Sequence, residues 1–186
     1  MTKQFVSRAG QKLQHALDTF GLNVQELVAA DLGCSTGGFT DCLLQNGAVK
    51  VYAVDTAYGV LEWRLRNDPR VVVLERTNAL HVVLPEQVDF ISIDVGWTKQ
   101  KLIVPYALTL LKAGGIIVSL MKPHYEAERL WLNAGTVKEE FLPNVIAKVE
   151  SELAAGNIKV ENITESPIIG GKGGNKEYLL LIRKMG

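Results

Sequence analysis

Two charged residues in the middle of the chain each follow a run of apolar residues. Asp94 comes directly after one such run, and Lys122 comes one residue after another. A carboxylate and an amine at the ends of buried strands are costly unless they are paired or functional. A carboxylate and an amine are also groups that can exchange protons with a substrate. Lys12 and Glu177 are further candidates, although each alone is more often a solvated surface charge.

A glycine-rich turn lies upstream of these residues. Ala30–Phe39 runs off one apolar segment into a helical pattern and carries Gly33, Gly37 and Gly38. Glycines in such a turn let the main chain approach a ligand at the carboxyl edge of a sheet. The pattern is neither the G-x-G-x-x-G of a dinucleotide binder nor the G-K-[ST] of a P-loop. The turn therefore predicts a cofactor site without naming the cofactor.

Polar residues after the next two apolar runs narrow the choice of cofactor. Asp55 stands 22 residues after Gly33, where an acid can bind ribose hydroxyls, and Thr77 and Asn78 could meet an adenine edge. With Asp31 before the turn, this set matches S-adenosylmethionine better than NAD; a nucleotide and a purely structural turn are the alternatives. The residues expected to bind the cofactor are Asp31, Gly33, Ser35, Thr36, Gly37, Gly38, Phe39, Asp55, Thr77, Asn78 and Asp94.

Short apolar runs alternate with helical patterns along the whole chain, as in an α/β sheet covered by helices on both faces. The predicted strands are Val28–Leu32, Val49–Val54, Val71–Leu74, Val88–Ile93, Gly115–Leu120, Ile158–Ile163 and Tyr178–Ile182. The predicted helices are Ala9–Phe20, Gly37–Asn46, Val60–Arg66, Leu102–Leu111 and Val137–Ala155.

The last two predicted strands are joined by Glu165–Lys176, which leaves no room for a crossover helix. They should therefore pair as an antiparallel hairpin. A seven-stranded, mostly parallel sheet with an antiparallel last strand indicates the class I S-adenosylmethionine-dependent methyltransferase fold, which is Rossmann-like. With 186 residues, we expect one domain spanning 1–186.

Composition excludes several classes of protein. Twenty basic and twenty acidic residues give a formal net charge of zero, which excludes a globally basic nucleic-acid binder. Residues 126–165 hold eight acids and four basic residues, so positive charge is in excess elsewhere and a local basic face is allowed. Cys34 and Cys42 should be free thiols, and no metal site is expected. No apolar run could span a bilayer, so we expect a cytoplasmic protein without membrane association.

Several longer motifs carry a resemblance to a known family. The chain resembles the FtsJ-type RNA 2′-O-methyltransferases, and within them the TlyA branch, whose members are named as hemolysins or rRNA methyltransferases. The matching segments are Ser7–Leu13, Asp31–Leu44, Val51–Asp55, Asp68–Val71, Glu75–Asn78, Met121–Pro123 and Gly174–Tyr178.

The resemblance implies a catalytic tetrad of Lys12, Asp94, Lys122 and Glu177 that serves a ribose 2′-hydroxyl. In that scheme Lys122 deprotonates or polarises the hydroxyl, Asp94 and Glu177 orient Lys122, and Lys12 holds the ribose or a phosphate. A lysine acts as a base only when neutral, and the neighbouring cations and carboxylates favour opposite protonation states. The choice between deprotonation and polarisation therefore stays open.

The resemblance also implies partners. RNA, and most of all rRNA or a ribosomal subunit, is the expected substrate, and a homodimer is a further option. TlyA proteins usually carry an N-terminal RNA-binding domain, and only a few residues precede Ser7 here, so we expect the catalytic domain alone. The alternatives are a non-catalytic RNA-binding or membrane-associated protein with a hemolysin name, and a small-molecule methyltransferase.

A few residues have more ordinary interpretations. After Asp94 the family continues with Ser-Phe, whereas Trp97 here could stack on an unpaired base or pack at the strand end. Leu61 and Trp63 are expected in the core, and His124 is expected to be a surface or loop residue. The glycine-rich loop 170–175 is either a surface loop or a loop that approaches a phosphate.

Overall fold

A seven-stranded sheet forms the centre of the computed structural model, which describes residues 4–170 and 174–185. In chain order the strands are β1 (Val28–Leu32), β2 (Lys50–Val54), β3 (Val71–Leu74), β4 (Val88–Ile93), β5 (Leu111–Met121), β6 (Leu132–Asn133), β7 (Thr136–Val137), β8 (Val160–Glu165) and β9 (Tyr178–Arg183). The large sheet has the order β3-β2-β1-β4-β5-β9-β8, and β6 and β7 form a separate two-stranded sheet.

The last strand has the direction expected from its short connection. β9 lies between β5 and β8 and is antiparallel to both, whereas the pairings among β1 to β5 are all parallel. The predicted mostly parallel sheet with an antiparallel last strand is therefore confirmed. The arrangement brings the start of β9 to the edge of the sheet where β1, β2, β4 and β5 end.

Helices cover both faces of the sheet. They are α1 (Ala9–Phe20), α2 (Gly38–Gln45), α3 (Trp63–Arg66), α4 (Gln100–Leu110), α5 (Pro123–Glu126) and α6 (Leu142–Ala154). Leu13 of α1 and Leu43 of α2 belong to the core cluster on one face, and Ile103 of α4 and Val149 of α6 belong to the cluster on the other. Burial of these apolar stripes fixes the helices on the sheet.

Two helices begin several residues later than predicted. α6 begins at Leu142 because Pro143 is preferred in a first helical turn, and Val137 pairs in β7 instead. α3 begins at Trp63, after Glu62, whose side chain accepts a hydrogen bond from the backbone N–H of Arg64. Leu61 is buried as expected, but the core position predicted for Trp63 is wrong, because its side chain is 72% exposed.

Two expectations from composition can also be compared with the structure. Cys34 and Cys42 form no disulfide in the described residues, so the predicted thiol state is confirmed, and both side chains are buried. Burial, with the nearby charge of Asp31, raises the pKa of the Cys34 thiol, so it is not a reactive thiolate. Within residues 4–170 and 174–185, no helix has both the length and the apolar character needed to cross a membrane.

Candidate active site

A cavity of about 410 Å³ opens at the carboxyl edge of the sheet. Its wall includes six of the residues predicted to bind the cofactor, together with Lys122. These six are Gly33, Ser35, Asp55, Thr77, Asn78 and Asp94. The ends of β1, β2, β3 and β4 thus contribute to one concave site, as expected for a parallel sheet of this type.

Asp55 holds the glycine-rich turn in place. One carboxylate oxygen accepts a hydrogen bond from the backbone N–H of Ser35 at 2.8 Å, and the other accepts one from Ala57 N–H at 2.8 Å. Each carboxylate oxygen can accept further hydrogen bonds, so Asp55 can still bind a ligand hydroxyl. Thr77 is joined to the same residue, because its backbone N–H donates to the Asp55 carbonyl at 2.9 Å.

Gly33 allows the turn to lie against Asp94. Its φ of +88° is in the left-handed region, and a Cβ atom there would lie 2.5 Å from the carbonyl oxygen of Asp94. Neither condition suits any other residue type. The backbone N–H of Asp94 donates to the Leu32 carbonyl at 2.9 Å, which continues the ladder between β1 and β4 to the site.

The other predicted cofactor residues lie outside the cavity wall. Asp31, Gly37, Gly38 and Phe39 are buried, and Thr36 is exposed, with its carbonyl accepting a hydrogen bond from Glu62 N–H at 3.1 Å. Gly37 precedes α2 with a φ of +100°. These five residues do not line the cavity, and their contact with a cofactor stays a prediction.

Asp31 is a fully buried carboxyl group beneath the cavity. It accepts hydrogen bonds from Thr40 Oγ1 at 2.7 Å and from Ser92 Oγ at 3.0 Å. Burial is the largest effect on this group, and it raises the pKa of Asp31 to about 7, with the charge of Asp94 acting in the same direction.

We expect the stability of the protein to depend on pH through Asp31. The folded chain keeps this proton up to about pH 7, whereas the unfolded chain releases it near the ordinary pKa of 3.8. The free energy of unfolding should therefore fall as the pH rises through this window. Urea unfolding of wild type and Asp31→Asn from pH 4 to pH 8 should show the variant gaining relative stability as the pH rises. A difference that stays constant would contradict the assignment.

Lys122 and Asp94 form an ion pair at the cavity wall. Lys122 Nζ lies 2.6 Å from Asp94 Oδ1 and also donates to the Val95 carbonyl at 3.3 Å. Both side chains are about one fifth exposed, so the pair is partly shielded but can be reached from the cavity. The two charged strand ends identified in the sequence are thus brought together.

Lys12 and Glu177 form a second ion pair, which is buried. Met121 pairs with Tyr178 in the β5–β9 ladder, so the next residues outward, Lys122 and Glu177, stand opposite each other at the same edge. The structure therefore brings all four residues of the predicted tetrad to one end of the sheet, although Lys12 and Glu177 do not line the cavity.

His124 is a neighbour of the tetrad that was expected only as a surface or loop residue. It lies half-buried in α5, and within the part of the chain that the structure describes its Nδ1 is buried without a hydrogen-bond partner. Burial lowers the pKa of His124; the charge of Glu177 opposes this shift and that of Lys122 adds to it. The only available signal was its position two residues after Lys122.

Trp97 extends into solvent beside the site. Its side chain is 81% exposed, its φ is +66°, and its ring stacks on that of Tyr125 with 6.1 Å between centroids. The packing alternative for Trp97 is therefore wrong. In the glycine-rich loop 170–175, for which both a surface loop and a phosphate-binding loop were considered, Gly171, Lys172 and Gly173 lie outside the described residues. Gly170 N–H donates to the Asn175 carbonyl at 2.9 Å.

Comparisons with known proteins identify the family to which the chain is similar. The FtsJ-like methyltransferase family matches residues 5–184. YqxC of Bacillus subtilis, which carries a provisional rRNA methyltransferase name, is 42% identical over 95% of this chain, and the match spans only 65% of that protein's length. The 16S/23S rRNA (cytidine-2′-O)-methyltransferase TlyA of Mycobacterium tuberculosis is 37% identical over 97% of this chain and 69% of its own.

Solved structures give the same result. A crystal structure of a Lactococcus lactis protein, provisionally named a hemolysin, superposes with a TM-score of 0.92 at 38% identity, covering 100% of this chain and 91% of that one. More distant S-adenosylmethionine-dependent methyltransferases share the fold alone. With a family match over nearly the whole length and the predicted residues gathered at one edge, the chain belongs to the FtsJ-like methyltransferase family.

Proposed function

We propose that this chain transfers a methyl group from S-adenosylmethionine to a ribose 2′-hydroxyl of RNA, with rRNA as the substrate. The observation that carries the proposal is the Lys122–Asp94 ion pair in the cavity wall, with Lys12 and Glu177 at the same sheet edge. The relatives that include an rRNA (cytidine-2′-O)-methyltransferase support the choice of substrate. Such a substrate would be met in the cytoplasm.

The residues of the cavity suit this cofactor. Gly33 allows a close approach of the main chain, Asp55 offers a carboxylate for ribose hydroxyls, and Thr77 and Asn78 offer polar groups for an adenine edge. Asp94 adds a second carboxylate to the wall, which is favourable near a positively charged sulfonium. When bound, S-adenosylmethionine supplies a methyl group that is already electrophilic.

The tetrad has to align the ribose hydroxyl oxygen with the methyl group and accept the hydroxyl proton. Lys122 Nζ is fixed by Asp94 and by the Val95 carbonyl, so it can hold the hydroxyl oxygen in one position. The hydroxyl oxygen would bond to the methyl carbon as the methyl–sulfur bond breaks, which would leave S-adenosylhomocysteine. The hydroxyl proton would pass to the Lys122–Asp94 pair or through it to water. Glu177 neutralises Lys12 and fixes its ammonium group at the same edge, where it can approach the ribose or an adjacent phosphate.

Exposed aromatic side chains near the cavity suit an RNA substrate. Trp97 follows the cavity residue Gly96, and Tyr58 follows Asp55 and Thr56 by a few residues. The Arg76 guanidinium lies 4.4 Å from the centre of the Tyr58 ring. Aromatic faces and arginine planes are the usual partners of unpaired bases. These groups favour a nucleic acid over a small alcohol as substrate.

A methyl-transfer assay tests the proposal. Wild-type protein and radiolabelled S-adenosylmethionine would be incubated with 30S subunits, 50S subunits, naked rRNA and tRNA, and cofactor binding would be measured separately by calorimetry. We expect cofactor binding and label in rRNA, either naked or in one subunit. Cofactor binding without label in any RNA would favour a small-molecule methyltransferase. RNA binding without cofactor binding would favour a non-catalytic role.

A further inference from the structure

The two segments that carry the reactive pair are fastened to each other. One segment runs from Asp94 into α4, and the other runs from Lys122 through α5. Besides the Lys122–Asp94 ion pair, three contacts join these segments: Lys122 Nζ to the Val95 carbonyl, the stacked rings of Trp97 and Tyr125, and a hydrogen bond at 2.8 Å from the backbone N–H of Gln100 to Glu126 Oε1. The last of these is buried and lies farthest from the reacting atoms.

Glu126 caps a helix to which it does not belong. Gln100 is the first residue of α4, and Lys99 before it provides no side-chain cap. The carboxylate of Glu126 therefore binds one of the free N–H groups at the positive end of this helix. Through that contact the end of α5, four residues after Lys122, is tied to the start of α4, six residues after Asp94.

Gln100 carries the connection back to the sheet. Its side chain is buried, and Oε1 accepts a hydrogen bond at 2.6 Å from Ser119 Oγ in β5. Its Nε2 donates to the Leu120 carbonyl at 3.4 Å. Glu126, Gln100 and Ser119 thus form a continuous buried chain, which we call the Glu126 clamp. It joins β5, three residues before Lys122, to α5, four residues after Lys122.

Burying the Glu126 carboxyl group costs free energy, which argues that this residue does more than cap α4. Glu126 is 2% exposed, and its Oε2 is buried without a hydrogen-bond partner among the described residues. Burial raises the pKa of Glu126; the hydrogen bond from Gln100 and the charges of Lys148 and Lys99 oppose that shift, and Glu152 adds to it. A serine or aspartate at position 99 could cap α4 from solvent without this cost.

We propose that Glu126 is a positioning residue for methyl transfer, which sets the distance between Asp94 and Lys122 through the clamp. This inference rests on the proposed function. Without the clamp, the segments after β4 and β5 can separate, and the 2.6 Å pair loses its fixed geometry. A displacement of about 1 Å at a reacting group can cost about 10²-fold in rate.

Three variants separate positioning from general stability. Glu126→Ala removes the acceptor, whereas Glu126→Gln keeps an oxygen that can accept a hydrogen bond from Gln100. Tyr106→Phe is the control, because Tyr106 lies on α4 but outside the clamp. It removes only the 2.7 Å hydrogen bond from the Tyr106 hydroxyl to the Val82 carbonyl. We expect kcat to fall about 10- to 100-fold in Glu126→Ala with KM for the cofactor nearly unchanged. Glu126→Gln and Tyr106→Phe should stay within about threefold of wild type.

Lysine labelling provides a readout that does not depend on activity. Acetylation of the folded proteins, quantified by mass spectrometry, should show Lys122 protected in wild type and more reactive in Glu126→Ala, but not in Glu126→Gln or Tyr106→Phe. If Glu126→Ala does not fold, Ser119→Ala breaks the same chain more gently and should show the same change to a smaller degree.

The outcomes distinguish this inference from the proposed function. No methyl transfer to RNA by wild type would refute the proposed function, while the labelling would still test the clamp. Unchanged Lys122 labelling, or a kcat in Glu126→Ala equal to that in Tyr106→Phe, would overturn the inference. Equal damage in Glu126→Gln and Glu126→Ala would overturn it too, because the hydrogen bond would then not be what matters.

Discussion

Replacing Lys122 with alanine is expected to lower the turnover of RNA methylation by about 10²- to 10⁴-fold, with little change in cofactor affinity. The reason is the position of its ammonium nitrogen in the cavity wall, 2.6 Å from Asp94 Oδ1. In the described part of the chain, no other lysine or arginine lines this cavity that could replace it. Single-turnover kinetics with saturating cofactor would measure the loss, and calorimetry would measure the affinity.

Lys112→Ala is the matched control for this variant. Lys112 lies near the opposite end of β5 and pairs with Asp89 at 2.8 Å, far from the carboxyl edge of the sheet. Its removal should leave turnover unchanged, since exposed ion pairs of this kind contribute at most about 1 kcal/mol to stability. Near-wild-type turnover in Lys122→Ala would show that this residue does not serve the hydroxyl.

The second large effect concerns the buried pair of Lys12 and Glu177. Lys12→Met should lower the free energy of unfolding by about 3–5 kcal/mol, because it leaves the Glu177 carboxylate buried without its counter-charge. Urea denaturation at neutral pH would measure the change. A loss below about 1 kcal/mol would mean that the pair is solvated in the native protein.

A double variant separates a structural role of the Lys12–Glu177 pair from a role in methyl transfer. Lys12→Met combined with Glu177→Leu replaces two charges by apolar groups of similar size, which is often close to neutral for stability. We expect the double variant to recover most of the lost stability while RNA methylation remains low. Recovery of both stability and activity would limit the pair to a structural role.

The order of elements could be predicted because each buried strand is a continuous apolar run. Strands Val28–Leu32, Val71–Leu74 and Val88–Ile93 have the predicted bounds. Both faces of the first and the third pack in the core, whereas the second is an edge strand on which Val72 is 37% exposed. The antiparallel direction of the last strand followed from the length of its connection. α5 and the β6–β7 hairpin were not predicted, because elements of two to four residues show no periodicity.

The candidate site could be predicted only in part. Asp94 and Lys122 were evident because they follow parallel strands that end at one edge. The pairing of Lys12 with Glu177 joins residues 165 positions apart, which no local pattern can indicate. Nothing in the local pattern indicated Glu126, because its burial depends on α6 packing against α5 and on the hydrogen bond from Gln100 of α4. The homodimer, given as an option from the sequence, stays a prediction.

The identity of the methylated nucleoside tests the assignment of the tetrad most directly. Ribosomal RNA treated with wild-type protein and S-adenosylmethionine would be digested to nucleosides and analysed by mass spectrometry, beside RNA treated with Lys122→Ala. We predict a nucleoside methylated on the ribose 2′-oxygen in the wild-type sample and its near absence with the variant. In the undigested RNA, the 3′-phosphodiester of the methylated position should resist alkaline cleavage. A methyl group on the base, or equal ribose methylation by both proteins, would contradict the assignment of the tetrad.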